Sequence, residues 1–114
     1  MSRRGEDGEA IAAQFLERRG LRLIERNYRC RYGEIDLVVR DGATLVFVEV
    51  RQRTGSGFGG AAESITAAKR RRLLAAARHY LARHDTAPPC RFDALLLGGG
   101  PDPRIDWIRD AFGE

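Results

Sequence analysis

The chain has 114 residues, 43% of them hydrophobic and 32% charged, with a formal net charge of +4. That length suits one domain, spanning 1–114, around one core. With no apolar run long enough to cross a bilayer and no signal-peptide pattern in Met1-Ser2-Arg3-Arg4-Gly5-Glu6-Asp7, the expected compartment is the cytoplasm. The basic balance admits nucleic acid as a partner, while the isolated Cys30 and Cys90 argue against a zinc centre.

From about Gly5 to Arg19 the pattern is helical. Gly8, Ile11, Ala12, Phe15, Leu16 and Arg19 trace one stripe, and Gly20 supplies the stop. Leu21 to Tyr28 alternates apolar and polar residues and predicts a first strand. Residues 33–53 read as a β-hairpin, with β-branched runs flanking Asp41-Gly42, a preferred short turn. A two-residue turn at 41–42 sets Glu34 opposite Glu49; a four-residue turn at 41–44 sets Asp36 opposite Glu49. In either register Glu34, Asp36, Glu49 and Arg51 share a face with Val38, Leu45 and Phe47. Ile35, Leu37, Val39, Val46, Val48 and Val50 make the other face apolar, so the hairpin is expected to be covered on both sides.

Thr54-Gly55-Ser56-Gly57-Phe58-Gly59-Gly60 is a glycine-rich loop without the lysine and trailing hydroxyl of a phosphate-cradling loop. A second helix runs from Ala62 or Thr66 to His84. Thr66 is a candidate N-cap for a start at Ala67, and Ile65, Leu73, Ala76, Ala77, Tyr80 and Leu81 form the apolar stripe. Lys69, the only lysine, falls on that stripe; its ammonium either snorkels to the helix edge or reaches the hairpin carboxylates. His79 and His84, five apart, are given no metal role. After Pro88-Pro89, Cys90 to Leu97 predicts a strand and Gly98 to Pro101 a turn. Ile105 to Ile108 predicts a short last strand anchored by Trp107. The order αβββαββ predicts an α/β domain, a small mixed sheet with one helix on each side.

Like-charged carboxylates at the end of a covered sheet repel one another and lose hydration. Either they are solvated as ordinary surface charges, or they gather a hard divalent cation such as magnesium or manganese. Asp36 followed by Glu49-x-Arg51 has the layout of a metal-dependent phosphodiester-cleavage site. Two carboxylates from adjacent strands hold the ion, and a cation two residues after the second shares its face and meets the phosphate. Glu9, at the flank of the first helix's stripe, is a candidate further acid, although helix-dipole preference would also place a glutamate there. Lys69-Arg70-Arg71-Arg72, with Arg51 and Arg53, forms a candidate phosphate-binding patch that a solvated helix face would equally explain. Such contacts carry no base information, so the DNA binding they suggest is structure-selective or non-specific.

Gly8-Glu9, Asn27-Tyr28-Arg29, Gly33-Glu34-Ile35-Asp36-Leu37-Val38, Phe47-Val48-Glu49-Val50-Arg51-x-Arg53 and Ile65 with Lys69 resemble the YraN-like family of small bacterial proteins, over about residues 5 to 97. That family is similar to the archaeal Holliday junction resolvases, within the restriction-endonuclease-like, PD-(D/E)xK nuclease superfamily. The resemblance implies a restriction-endonuclease-like fold, with Asp36 and Glu49 as metal ligands and Glu9 as an auxiliary acid; the shared hairpin face adds Glu34 as a further supporting acid, and magnesium or manganese is the expected cofactor. The resemblance also implies endonuclease activity on branched or damaged DNA, and a homodimer to cut paired strands. One residue departs from the superfamily pattern, which has lysine where this chain has Arg51. Arginine stays protonated and cannot serve as a general base, although it can clamp phosphate oxygens. Lys69 is then the lysine left for the role. The alternative is a nucleic-acid-binding module without turnover.

Overall fold

The computed structural model describes residues 4–52, 66–83, 88–98 and 104–112. The glycine-rich segment 54–60, together with Arg53, Ile65 and His84, lies outside the described residues. The elements are α1 (Arg4–Arg18), β1 (Arg22–Cys30), β2 (Gly33–Asp41), β3 (Thr44–Gln52), α2 (Ala67–Leu81), β4 (Cys90–Leu97) and β5 (Ile105–Phe112). They follow the predicted order, with β5 longer than expected. The strands form one five-stranded sheet in the order β1-β2-β3-β4-β5. Only β3 and β4 run parallel, because α2 lies between them in the chain and returns it to the same end of the sheet.

The hairpin turns on Gly42-Ala43 rather than on Asp41-Gly42, and Asp41 pairs with Thr44. Gly42 takes φ +62°, a left-handed conformation cheap only for glycine among common residues. The ladder then runs to Leu37 opposite Val48, so the next positions in register are Asp36 and Glu49.

Alternation distributes the core over both faces. On one, Leu73, Ala76, Ala77 and Tyr80 of α2 pack with Tyr28, Val38, Leu45, Phe47 and Phe92. On the other, Ala12, Ala13 and Leu16 of α1 pack with Leu37, Val39, Val46, Val48 and Leu95. Phe47 is fully buried, a transfer that contributes about 1.5–3 kcal/mol.

Two expectations are corrected here. The buried stripe of α1 is rotated from the predicted one: Ile11 is 38% exposed, whereas Glu9 and Ala13 are buried. The alanines let the helix lie close to the sheet, and that approach turns Glu9 inward. In β2, Ile35 joins the α2-side cluster although Leu37 and Val39 belong to the α1 side. The strand therefore rotates by half a step around Asp36. Opposite this point Asn27 of β1 takes φ +54° and interrupts the β1–β2 pairing between Arg26–Leu37 and Tyr28–Ile35.

The start of α2 matches its expected cap, with the Thr66 hydroxyl accepting the Lys69 N–H at 3.1 Å. Gly33 sets how closely α2 approaches β2. A Cβ added there would sit 2.5 Å from the carbonyl oxygen of Arg72, a backbone atom that cannot swing aside. Gly33→Ala should therefore destabilise the fold by about 1–3 kcal/mol, measured by urea denaturation. A cost below a few tenths would show that α2 slides freely on the sheet.

Candidate functional site

At the end of β2 and β3 away from their turn, a cleft of about 380 Å³ opens between the two helices. Its lining comprises Gly8 and Glu9 from α1, Asp36 from β2, Glu49 to Gln52 from β3, and Lys69 from α2. Of the predicted site residues, the structure brings together Glu9, Asp36, Glu49, Arg51 and Lys69. Three long-range decisions bring them there: the hairpin register, the seating of α1, and the placement of α2 on the opposite face.

Lys69 resolves its two alternatives by geometry. Its Nζ lies 2.7 Å from Oε2 of Glu49, whose side chain is 5% exposed. Asp36 is half-buried, and its Oδ2 accepts the Val50 N–H at 2.8 Å, which bridges β2 to β3 where the regular ladder has stopped. Burial, then the Glu49 charge, pushes the Asp36 carboxyl from its ordinary 3.8 up to about 7; Glu9 adds to the rise, and the Val50 N–H and Lys69 oppose it.

Glu9 is 7% exposed and also holds its proton more tightly than usual, first through burial. Asn27, then Arg26 and Asp36, oppose that rise, and the Glu34 charge adds to it. Glu9 Oε1 is buried with no hydrogen-bond partner among the described residues, and the Arg26 guanidinium stands 3.9 Å away.

Glu34 and the arginine run behave differently. With the half-step in β2, Glu34 turns out of the acidic cleft, pairs with Arg29 at 3.4 Å and is largely exposed. The Lys69-to-Arg72 run is a spiral rather than one patch. Lys69 lines the acidic cleft, Arg72 a neighbouring one, and Arg71 faces solvent. Arg53 falls outside the described residues.

Carboxylate oxygens are hard donors, and the orphaned Glu9 Oε1 is an oxygen a cation would satisfy, so the donor chemistry suits magnesium or manganese. Among the described residues, however, no three His, Cys, Asp or Glu side chains converge into a ready cluster, and Lys69 occupies one oxygen of Glu49. The set thus fits a hard ion in kind, with further ligands coming from water or a substrate phosphate.

A model of "Uncharacterised protein family UPF0102" matches residues 8–97. The chain belongs to this family. The matched stretch contains every residue that lines the acidic cleft. UPF0102 proteins of Nitrosomonas europaea and Methylobacillus flagellatus are 58% and 57% identical to the chain over 111 and 112 residues, covering 97% and 98% of it and 94% and 98% of their own lengths. A UPF0102 protein of Cupriavidus taiwanensis is 60% identical over 111 residues, covering 96% of this chain and 82% of its own. The UPF0102 family is the YraN-like family that the sequence motifs resemble.

Sequence reasoning missed Asp93, which is fully buried. Its carboxylate accepts from Trp107 Nε1 at 2.9 Å, from the Asp110 N–H at 2.9 Å and from Arg91 Nε at 3.0 Å. A lone aspartate inside the apolar run Phe92 to Leu97 was the available signal. Two of its three partners, Trp107 and Asp110, lie 14 and 17 residues away on β5. Tyr32, 51% exposed at the β1–β2 turn, was also missed.

Proposed function

We propose that the chain is a metal-dependent endonuclease with a restriction-endonuclease-like fold, acting on DNA with branched or damaged structure. The observation that carries this reading is the gathering of Glu9, Asp36 and Glu49 in one cleft beside Arg51 and Lys69, where burial first and the Glu49 charge second push the Asp36 carboxyl up to about 7. Carboxyls arranged at that cost are a familiar mark of a functional site. Asp36 and Glu49 would hold magnesium or manganese, with Glu9 in support. The ion, when bound, supplies Lewis-acid polarisation of the scissile phosphate and a more acidic water. Arg51 stays charged and clamps phosphate oxygens. Lys69 would supply from α2 the ammonium that the superfamily pattern places at position 51, and it pairs with Glu49 at 2.7 Å. A homodimer would place two such clefts on paired strands.

Two observations favour the non-catalytic binding module instead: Lys69 already pairs with Glu49, and among the described residues no ready cluster exists. The two readings separate by experiment. Manganese at about a hundredfold over its Kd should stabilise the wild type by about 2.7 kcal/mol at pH 8. The same addition should leave Glu49→Gln unshifted, and that variant should not cut forked DNA that the wild type cuts. Absence of any shift, with and without a DNA fork present, would end the nuclease reading and leave the binding module.

A further inference from the structure

A second cleft, of about 350 Å³, lies directly behind the Lys69–Glu49 pair, which lines both. Its other walls are Arg29 to Glu34 of the β1–β2 hairpin and Arg72 and Leu73 of α2. It differs from the acidic cleft in charge: Arg29, Arg31, Lys69 and Arg72 face Glu34 and Glu49. Both carboxylates already hold a cation, Arg29 on Glu34 and Lys69 on Glu49. Among the described residues Arg31 and Arg72 make no ion pair, so the cleft presents unneutralised guanidinium charge.

Tyr32 stands at its rim. Cys30 pairs with Gly33, so Arg31 and Tyr32 form a two-residue turn held by the ladder on both sides. The ring is 51% exposed, with the His79 ring 5.8 Å away and Arg31 Cζ 5.8 Å from its centroid. An exposed aromatic beside uncompensated guanidinium groups is the combination that binds unpaired nucleotides. The ring stacks on a base, and the cations meet the flanking phosphates. A duplex keeps its bases stacked on one another and cannot offer one to Tyr32 without unstacking.

We propose that this second cleft is a subsite for an unpaired nucleotide of the DNA strand whose neighbouring phosphate enters the acidic cleft, with Tyr32 as the stacking platform and Arg31 and Arg72 as phosphate contacts. The inference rests on the DNA reading above and deepens it. It makes the preferred substrate one with a single-stranded arm beside the duplex, such as a fork or flap. The shared Lys69–Glu49 wall couples the two clefts, since a phosphate beside Lys69 competes with Glu49 for its ammonium.

The test measures binding in EDTA, so it does not depend on turnover. Fluorescein-labelled single strand, forked duplex and blunt duplex are titrated by anisotropy with the wild type, Tyr32→Ala, Tyr32→Phe and Arg72→Ala. Tyr32→Ala should weaken single-strand and fork binding roughly 5- to 160-fold, the range for losing one base–aromatic stack, and leave blunt duplex within twofold. Tyr32→Phe keeps the ring and should restore binding. Arg72→Ala should lower the single-strand salt slope by about 0.7, one phosphate contact. Equal binding of Tyr32→Ala and wild type to all three DNAs would overturn the subsite. So would an equal loss on all three, or a failure of Tyr32→Phe to rescue, since a stacking face would then not be what Tyr32 supplies. Cleavage separates the two proposals: a Tyr32 effect on binding without any wild-type cleavage keeps the subsite and removes the nuclease. Wild-type cleavage with no Tyr32 effect does the reverse.

Discussion

Asp93→Ala should be the most damaging single change in the described core, lowering stability by about 3–5 kcal/mol. The aspartate has no exposure, and its two oxygens gather a guanidinium, an indole N–H and a backbone N–H from three positions. Removing it takes the acceptor from three donors on half-buried or exposed residues and leaves a void at a fully buried position, and each donor left unsatisfied away from water costs about 1–3 kcal/mol. Arg91 keeps one other carboxylate, Asp41 at 3.0 Å, which offsets part of the loss. The indole and the Asp110 N–H have no such alternative. Because Asp110 takes φ +52°, its N–H is held toward Asp93 by a conformation that this bond helps to sustain. For a domain of this size about 4 °C of Tm accompanies each kcal/mol, so a fall of about 12–20 °C is expected by circular dichroism. Trp107, the chain's only tryptophan, gives a second readout: its emission should shift to the red as β5 loosens. A Tm loss under about 4 °C would show that Arg91 and Asp41 hold this edge without Asp93.

Asp36→Asn should act in the opposite direction, and only at neutral or alkaline pH. The folded-state carboxyl is raised from 3.8 to about 7, so the native protein binds a proton that the unfolded chain has released. Stability tied to that proton is fully present below the ordinary value of 3.8 and is lost as pH rises to about 7. Above that, the native state carries an ionised, half-buried Asp36 against Glu49 and Glu9 at full cost. Asparagine cannot ionise, yet it still offers an oxygen to the Val50 N–H. With solvent screening of the partly exposed group allowed for, the gain is about 1–3 kcal/mol at pH 8, shrinking toward zero near pH 4. Urea denaturation of both proteins at the two pH values measures it. A variant no more stable than wild type at pH 8 would mean that Lys69 already compensates the carboxylates, and the case for a missing cation would weaken. If the nuclease reading holds, the same substitution removes metal-induced stabilisation and cleavage together, a trade of function against stability of the kind expected where charges are crowded for a task.

Several parts of the site were legible in local pattern. Period-two alternation placed Asp36 and Glu49 on one face of a hairpin before any partner was known, because facing is a property of the strand itself. Helical spacing put Lys69 on the buried stripe of α2, and Thr66 marked where that helix begins. The core positions Val38, Leu45 and Phe47 on one side and Leu37, Val39, Val46 and Val48 on the other followed from the same periodicities. What local pattern could not supply was anything that depends on how separate elements meet. Glu9 joins Asp36 because α1 seats its alanines rather than Ile11 on the sheet. Glu34 leaves the cleft because β2 rotates at Asp36, opposite Asn27 of a different strand with φ +54°. The Lys69–Glu49 contact needs α2 to return across the face opposite α1, with Gly33 admitting it closely. Asp93 finds its donors only because β5 folds back beside β4. Sequence determines which face of each element is apolar, since that is a short-range periodicity; the rotation and approach of one element on another are decided by close packing of the whole core, and the cleft's chemistry follows from those last few ångströms.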